Sequence, residues 1–221
     1  MKKSTETGRC VVICAGELAE QTAVRAAVTS KDFVIAADGG YLHAQRLGIR
    51  PQLIVGDFDS APRPDFDGDI EVYPPIKDDT DCMIAVEAGW QRGYREFVIL
   101  GGTGGRLDHT MANIQTLCWL VEHDAQGIMM DDNHDIRVMG PGRWEFSRFE
   151  GYFSTFALLG GHMTVSEEGM YYPLDHHVMT AGVPLGVSNR ITAPTAVFTV
   201  HSGMALVILY YENDGGTKHV Q

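Results

Sequence analysis

Short apolar runs alternate with helix-length stretches through the first part of this chain. Most of those runs stop at glycine or aspartate. Residues 10–15 end at Gly16, 33–37 at Asp38-Gly39-Gly40, 53–55 at Gly56-Asp57, and 97–100 at Gly101. Residues 70–73 and 127–130 are further runs of strand length. Between them, residues 17–29, 41–47, 80–91 and 108–122 place apolar side chains at helical spacing. Near-continuous apolar strands separated by helices belong to an open parallel sheet covered on both faces.

The pattern changes after about Asn133, where no long helical stretch follows. The runs 136–139, 142–146, 152–159, 163–166, 170–172, 187–191, 196–200 and 205–210 are short and punctuated by Gly, Pro and Asn. They read as antiparallel strands of a sandwich. The expected fold is therefore α/β. A Rossmann-like, mostly parallel open-sheet domain over residues 1–135 is followed by an all-β sandwich domain over 136–221.

Charge narrows the function. The chain carries 17 basic and 29 acidic residues, a formal charge of -12. No basic stripe offsets this, which argues against non-specific nucleic-acid binding. No run reaches the length of a membrane span, and the N-terminus lacks a signal-peptide pattern. Cys10, Cys14, Cys82 and Cys118 are dispersed and read as free thiols of a cytoplasmic protein. The histidines form no zinc-ligand spacing, and His176-His177 reads as a surface turn.

The carboxylates fall into three stretches. Asp57 and Asp59 lie in Gly56-Asp57-Phe58-Asp59-Ser60, and Asp78, Asp79 and Asp81 follow Lys77. Asp108 follows Gly101-Gly102-Thr103-Gly104-Gly105-Arg106-Leu107. Each lies beyond an expected strand, at the edge where parallel sheets bind ligands. Asp57 and Asp59 either chelate a hard cation such as Mg²⁺ or cap a turn. Asp78 to Asp81 either join that site, with Lys77 meeting phosphate, or cap the next helix with Thr80. The glycine loop can cradle phosphate on its N–H groups, with Arg106 as a clamp. Asp108 and His109 serve the site or cap a helix. Asp38-Gly39-Gly40 is either a ligand-approach turn or an ordinary one. An acidic chain repels a polyphosphate unless a cation neutralises the site, so the clusters predict a metal.

These stretches, in this order and together with Ser188-Asn189 near the C-terminus, resemble the thiamine pyrophosphokinase family. The resemblance implies an α/β ATP-binding catalytic domain followed by a thiamine-binding β-sandwich. It also implies a homodimer, with thiamine between the α/β domain of one subunit and the sandwich of the other. The implied reaction transfers the β,γ-diphosphate of ATP to the thiamine hydroxyl and releases AMP. By this resemblance Asp57, Asp59 and Asp81 organise Mg²⁺ and, with Asp108, form the catalytic set. Asp38, Gly39, Lys77, Asp78, Thr80, Gly102, Thr103, Gly104, Arg106 and His109 surround ATP. Tyr171, Tyr172, Ser188 and Asn189 contact thiamine. Arg190 and Ile191 depart from the family pattern, where an acidic and an aromatic residue are common. Two alternatives remain: a diphosphotransferase for another small alcohol such as a pterin, or a noncatalytic nucleotide-binding regulator.

Overall fold

The computed structural model describes residues 8–18, 22–58, 64–74, 79–158 and 161–212. The chain divides into two compact units between Asp132 and Asn133.

Among the described residues the first unit holds six strands: β1 (Cys10–Ile13), β2 (Phe33–Ala37), β3 (Leu53–Gly56), β4 (Asp69–Val72), β5 (Glu96–Leu100) and β6 (Gln126–Met130). Its helices are α1 (Thr22–Ala26), α2 (Gly40–Arg46), α3 (Asp81–Gln91) and α4 (Leu107–Glu122). The strands run in the order β6-β5-β1-β2-β3-β4, and every pairing is parallel. The order reverses direction between β1 and β5. In sheets of this kind that switch opens a crevice beyond the carboxyl ends of the strands.

Both faces of the sheet are covered, which explains the lack of alternation in β1 and β3, buried at every residue. Val11 and Ile13 pack with Val24 and Ala27 around α1 and with Ala44 of α2. The opposite face of β1 meets α3, where Gly89 lies against Cys10 and Phe97. Gly127 of β6 meets Leu117 and Leu120 of α4 on that same side. Thr80 caps α3, its Oγ accepting the Met83 N–H at 3.2 Å. Arg92 and Gly93 close that helix, with Gly93 at φ +96°.

One expected helix is much shorter than its spacing suggests. Among the described residues of 17–29 only Thr22–Ala26 is helical, and Gly16 and Glu17 lie ahead of it. Their backbone N–H groups donate instead to the carbonyls of Gly101 and Thr103, at 2.9 and 3.0 Å. These bonds hold residues 16 and 17 against the glycine loop, ahead of the helix.

The second unit holds β7 (His134–Met139), β8 (Gly142–Ser147), β9 (Gly151–Ala157), β10 (His162–Glu168), β11 (Leu174–Thr180), β12 (Gly186–Asn189), β13 (Thr195–Ser202) and β14 (Ala205–Tyr211). They form two antiparallel layers, β12-β9-β14-β7 and β11-β10-β13-β8. Phe153, Met163, Val165, Phe198 and Val207 fill the core between them.

Two local readings are corrected here. Residues 170–172 form a single bridge, Met170 to Ile191, not a strand. Gly169 before them sits at φ +74°, and the Tyr172 N–H goes to the Asn189 side chain. His176 and His177 lie on β11, where His177 pairs with Val165, and not in a turn. That edge strand is exposed at most positions and carries no apolar alternation to announce it. The parallel α/β unit followed by the antiparallel sandwich is the expected fold class. Among the described residues no helix is long and apolar enough to cross a membrane.

Candidate active site

The strand-order switch brings the loop after β1 against the glycine loop after β5. A Cβ on Gly16 would lie 2.4 Å from the Gly101 carbonyl oxygen and 2.6 Å from that of Thr103. Only glycine allows this approach. Three side chains then fix the glycine loop. Asn113 of α4 donates to the Gly102 carbonyl at 2.8 Å. Thr103 donates its hydroxyl to Asp131, just beyond β6, at 2.9 Å. Glu17 accepts the Gly105 N–H at 3.2 Å. Gly104, at φ +82°, packs so closely on the Glu17 side chain that a Cβ would come within 2.5 Å of it.

Past the loop, Arg106 grips Asp108 with two hydrogen bonds, Nε at 3.1 Å and Nη2 at 2.5 Å. Asp108 also accepts the His109 N–H at 3.1 Å. The guanidinium hydrogen bond holds the Asp108 carboxyl down to about 2. All three side chains are exposed at the start of α4. Asp108 is thus an acid of the first turn of α4 that pairs with Arg106, and the helix has no side-chain cap.

The remaining acidic positions lie along the same edge. Asp38 is buried, sits at φ +43° and donates its N–H to Val55 at 2.7 Å. A Cβ on Gly56 would come within 3.0 Å of the Asp38 Cα, so the ends of β2 and β3 touch. Asp57 follows β3 and is partly exposed. Asp81 opens α3 beside the end of β1. There the Cys14 thiol is pushed well up by a hydrogen bond with Cys82, by burial and by the charge of Asp81. All four cysteines are buried and free.

Gly102, Thr103, Gly104, Arg106, Asp108 and His109 follow β5 in one stretch, Asp38, Gly39 and Asp57 follow β2 and β3, and Thr80 and Asp81 start α3. Asp59, Lys77 and Asp78 lie outside the described residues. Among the described residues no three acidic, histidine or cysteine side chains already form a metal cage. The donors available at the strand ends are carboxylate oxygens, the hard ligands that suit Mg²⁺ rather than a softer metal.

Sequence reasoning passed over Glu17, Asn113 and Asp131. Glu17 and Asp131 obey the rule that found the other acids, since each follows a parallel strand closely. Asn113 lies inside α4, and nothing in its spacing marks it.

The second unit places its expected residues differently. Tyr171 and Tyr172 stand in solvent, 65% and 63% exposed, as an edge-to-face pair with ring centroids 4.8 Å apart. Ser188 is exposed at φ +61°, its N–H donating to Ser154 Oγ at 3.0 Å. Asn189 is buried, and its amide faces protein. Nδ2 donates to Glu167 at 2.7 Å and to the Tyr172 carbonyl at 2.8 Å. Oδ1 accepts the N–H groups of Tyr172 and Arg190 at 3.0 and 2.9 Å. Arg190 lies over the Tyr152 ring at 4.2 Å and pairs with Glu212 at 3.1 Å. Its charge is thereby matched within the sandwich.

The comparisons with known proteins agree across both units. The family model described as thiamin pyrophosphokinase, catalytic domain, matches residues 24–130. A second, thiamin pyrophosphokinase, vitamin B1 binding domain, matches residues 134–205. Thiamine pyrophosphokinase of Bacillus subtilis (strain 168) is 28% identical over 188 residues, 79% of this chain and 85% of that protein. Thiamin pyrophosphokinase 1 of Caenorhabditis elegans is 24% identical over 176 residues, covering 74% and 71%. The crystal structure of the Bacillus subtilis thiamine pyrophosphokinase shares the fold, with a TM-score of 0.84 at 22% identity over 93% of this chain and 100% of that one. Matched in tandem by both domain models over most of its length, the chain belongs to the thiamine pyrophosphokinase family.

Proposed function

We propose that this protein makes thiamine diphosphate by transferring the β,γ-diphosphate of ATP to the primary hydroxyl of thiamine, with AMP as the leaving group. The observation that carries this reading is the glycine loop at the strand-order switch, beside Arg106, in a chain of this family. ATP is the co-substrate. The α/β unit is assigned to ATP and the sandwich to thiamine. A homodimer and a cytoplasmic location belong to the same reading.

The thiamine hydroxyl oxygen attacks the β-phosphorus and gives up its proton to solvent, and the bond from that phosphorus to the bridging oxygen breaks, so that AMP leaves with the oxygen. The chain must hold that phosphorus in line rather than the γ-phosphorus. Gly102 to Gly104 offer backbone N–H groups to the phosphates, and Arg106 exchanges its grip on Asp108 for a phosphate oxygen. Asp57, Asp59 and Asp81 are assigned to Mg²⁺, with Asp38, Asp78 and Lys77 nearby. The ion supplies neutralisation of phosphate charge when bound. Thr80 and Gly39 position helix starts at the ATP site, and His109 adds a donor at the first turn of α4. In the sandwich, Tyr171, Tyr172 and Ser188 face thiamine, while Asn189 shapes the corner that carries them. Thiamine is a cation, which suits aromatic faces and an acidic protein.

Incubation with ATP, Mg²⁺ and thiamine is expected to yield AMP and thiamine diphosphate in equal amounts, and neither without thiamine. Folded protein that left ATP intact at saturating thiamine would overturn the proposal. ADP as the product would overturn the transfer position.

A further inference from the structure

Glu167 stands at a core position of the sandwich. Along β10 the side chains of Met163, Val165 and Glu167 alternate inward, and Glu167 is only 1% exposed. A buried carboxylate opposes folding unless its partners are in place. Its partners come from the opposite layer. Thr155 of β9 donates to Oε1 at 3.1 Å, and Asn189 of β12 donates to Oε2 at 2.7 Å. Asn189 in turn holds both backbone groups of Tyr172 and the N–H of Arg190. Tyr171 adds its own N–H to the Arg190 carbonyl at 2.8 Å. One acidic side chain therefore fixes, through one amide, the corner that carries Ser188 and the tyrosine pair.

The consequence for that corner is specific. The two tyrosines are large, exposed and edge-to-face, and Ser188 adopts a left-handed backbone that serine rarely takes. An exposed aromatic pair beside a strained turn marks a recognition surface. The brace beneath it carries no group to the ligand, because all four hydrogen-bonding positions of the Asn189 amide are filled within the protein.

We propose that Glu167, acting through Asn189, is a positioning residue for the acceptor, setting how tightly the sandwich holds thiamine without touching it. This rests on the function proposed above. Replacement should therefore weaken the use of thiamine and leave ATP alone.

The test compares steady-state constants of the full-length wild type with those of Glu167→Met and Glu167→Gln. Methionine has similar length and no hydrogen-bonding oxygen. Glutamine keeps one acceptor and so restores part of the brace. The KM for thiamine is expected to rise about tenfold in Glu167→Met and by a smaller factor in Glu167→Gln. The KM for ATP should stay within about twofold of the wild type in both. If Glu167→Met fails to fold, Glu167→Gln decides alone through the same split between the two substrates. A folded variant with both constants unchanged overturns the inference and leaves the function standing, as does one in which both rise together. A wild type that releases no AMP with thiamine overturns the proposed function and this inference with it.

Discussion

Asp108 and Glu167 are both carboxylates, and the two units treat them in opposite ways. Asp108 is exposed, and the Arg106 hydrogen bond holds it down to about 2. Glu167 is sealed in the sandwich, where burial raises it and the Asn189 and Thr155 hydrogen bonds only partly offset that. The difference reflects what each region has to do. In the α/β unit the Arg106–Asp108 pair lies where water reaches it, so Arg106 can exchange its partner for phosphate. The loop that carries them is held by the backbone N–H groups of Gly16 and Glu17 and by the neutral side-chain amide of Asn113. In the sandwich the exposed groups are neutral rings and a hydroxyl, and a hidden polar brace supplies their shape. Charge is presented in one region and used as scaffolding in the other.

The largest effect should come from removing charge at the strand ends. Asp57→Asn and Asp81→Asn keep side-chain size, and each is expected to lower kcat/KM about a hundredfold or more. Thermal unfolding should change little, because Asp57 is partly exposed beyond β3 and an acid in a helix first turn, as Asp81 is, typically contributes about 0.3–1 kcal/mol. If both variants kept activity within about tenfold of the wild type, the α/β carboxylates would be scaffolding too, and the contrast would fail.

A smaller effect, on stability, should come from Glu167. Its folded carboxyl binds a proton more tightly than the unfolded chain, whose ordinary value is 4.5. Its contribution is therefore fully present below 4.5 and is lost as pH rises through the raised folded value. Denaturant midpoints of wild type and Glu167→Gln, followed from pH 4 upward, should diverge in slope over that window. The wild type loses stability with rising pH relative to the variant. Parallel curves would mean that the brace is not strained by its charge.

Much of this contrast was legible in the sequence, and unevenly so. Apolar runs that stop at glycine or aspartate gave the parallel sheet and the edge where Asp38, Asp57, Asp81 and Asp108 collect, because buried parallel strands leave a strong local pattern. The short α1 was not legible. The commitment of Gly16 and Glu17 to the glycine loop is a contact between segments some 85 residues apart, set by strand order rather than by spacing. In the sandwich, β11 carries Asp175, His176 and His177 on an exposed edge and so lacks the alternation that marks a strand. Glu167 was hidden for a related reason. An acid after two inward apolar residues reads as the end of a strand unless its partners on β9 and β12 are known. The resemblance named Asn189 for the acceptor, and the geometry turns its amide away from solvent.

The smallest effect tests the other half of the comparison. The Arg106–Asp108 pair is exposed, with side chains 72% and 65% accessible. Such pairs contribute little to stability because water screens them and two flexible side chains must be ordered. The lowered carboxyl adds stability above the unfolded value of 3.8 and loses it as pH falls through about 2. Arg106→Gln should therefore lower the melting temperature at neutral pH only slightly, the pair being exposed and screened. Yet the Asp108 carboxyl, followed by NMR titration, should move from about 2 back toward 3.8. Titration near 2 without the guanidinium would assign the shift to the His109 N–H and the helix start instead. Asp108 would then be a structural cap of α4, closer in kind to Glu167 than to an exchangeable partner of Arg106.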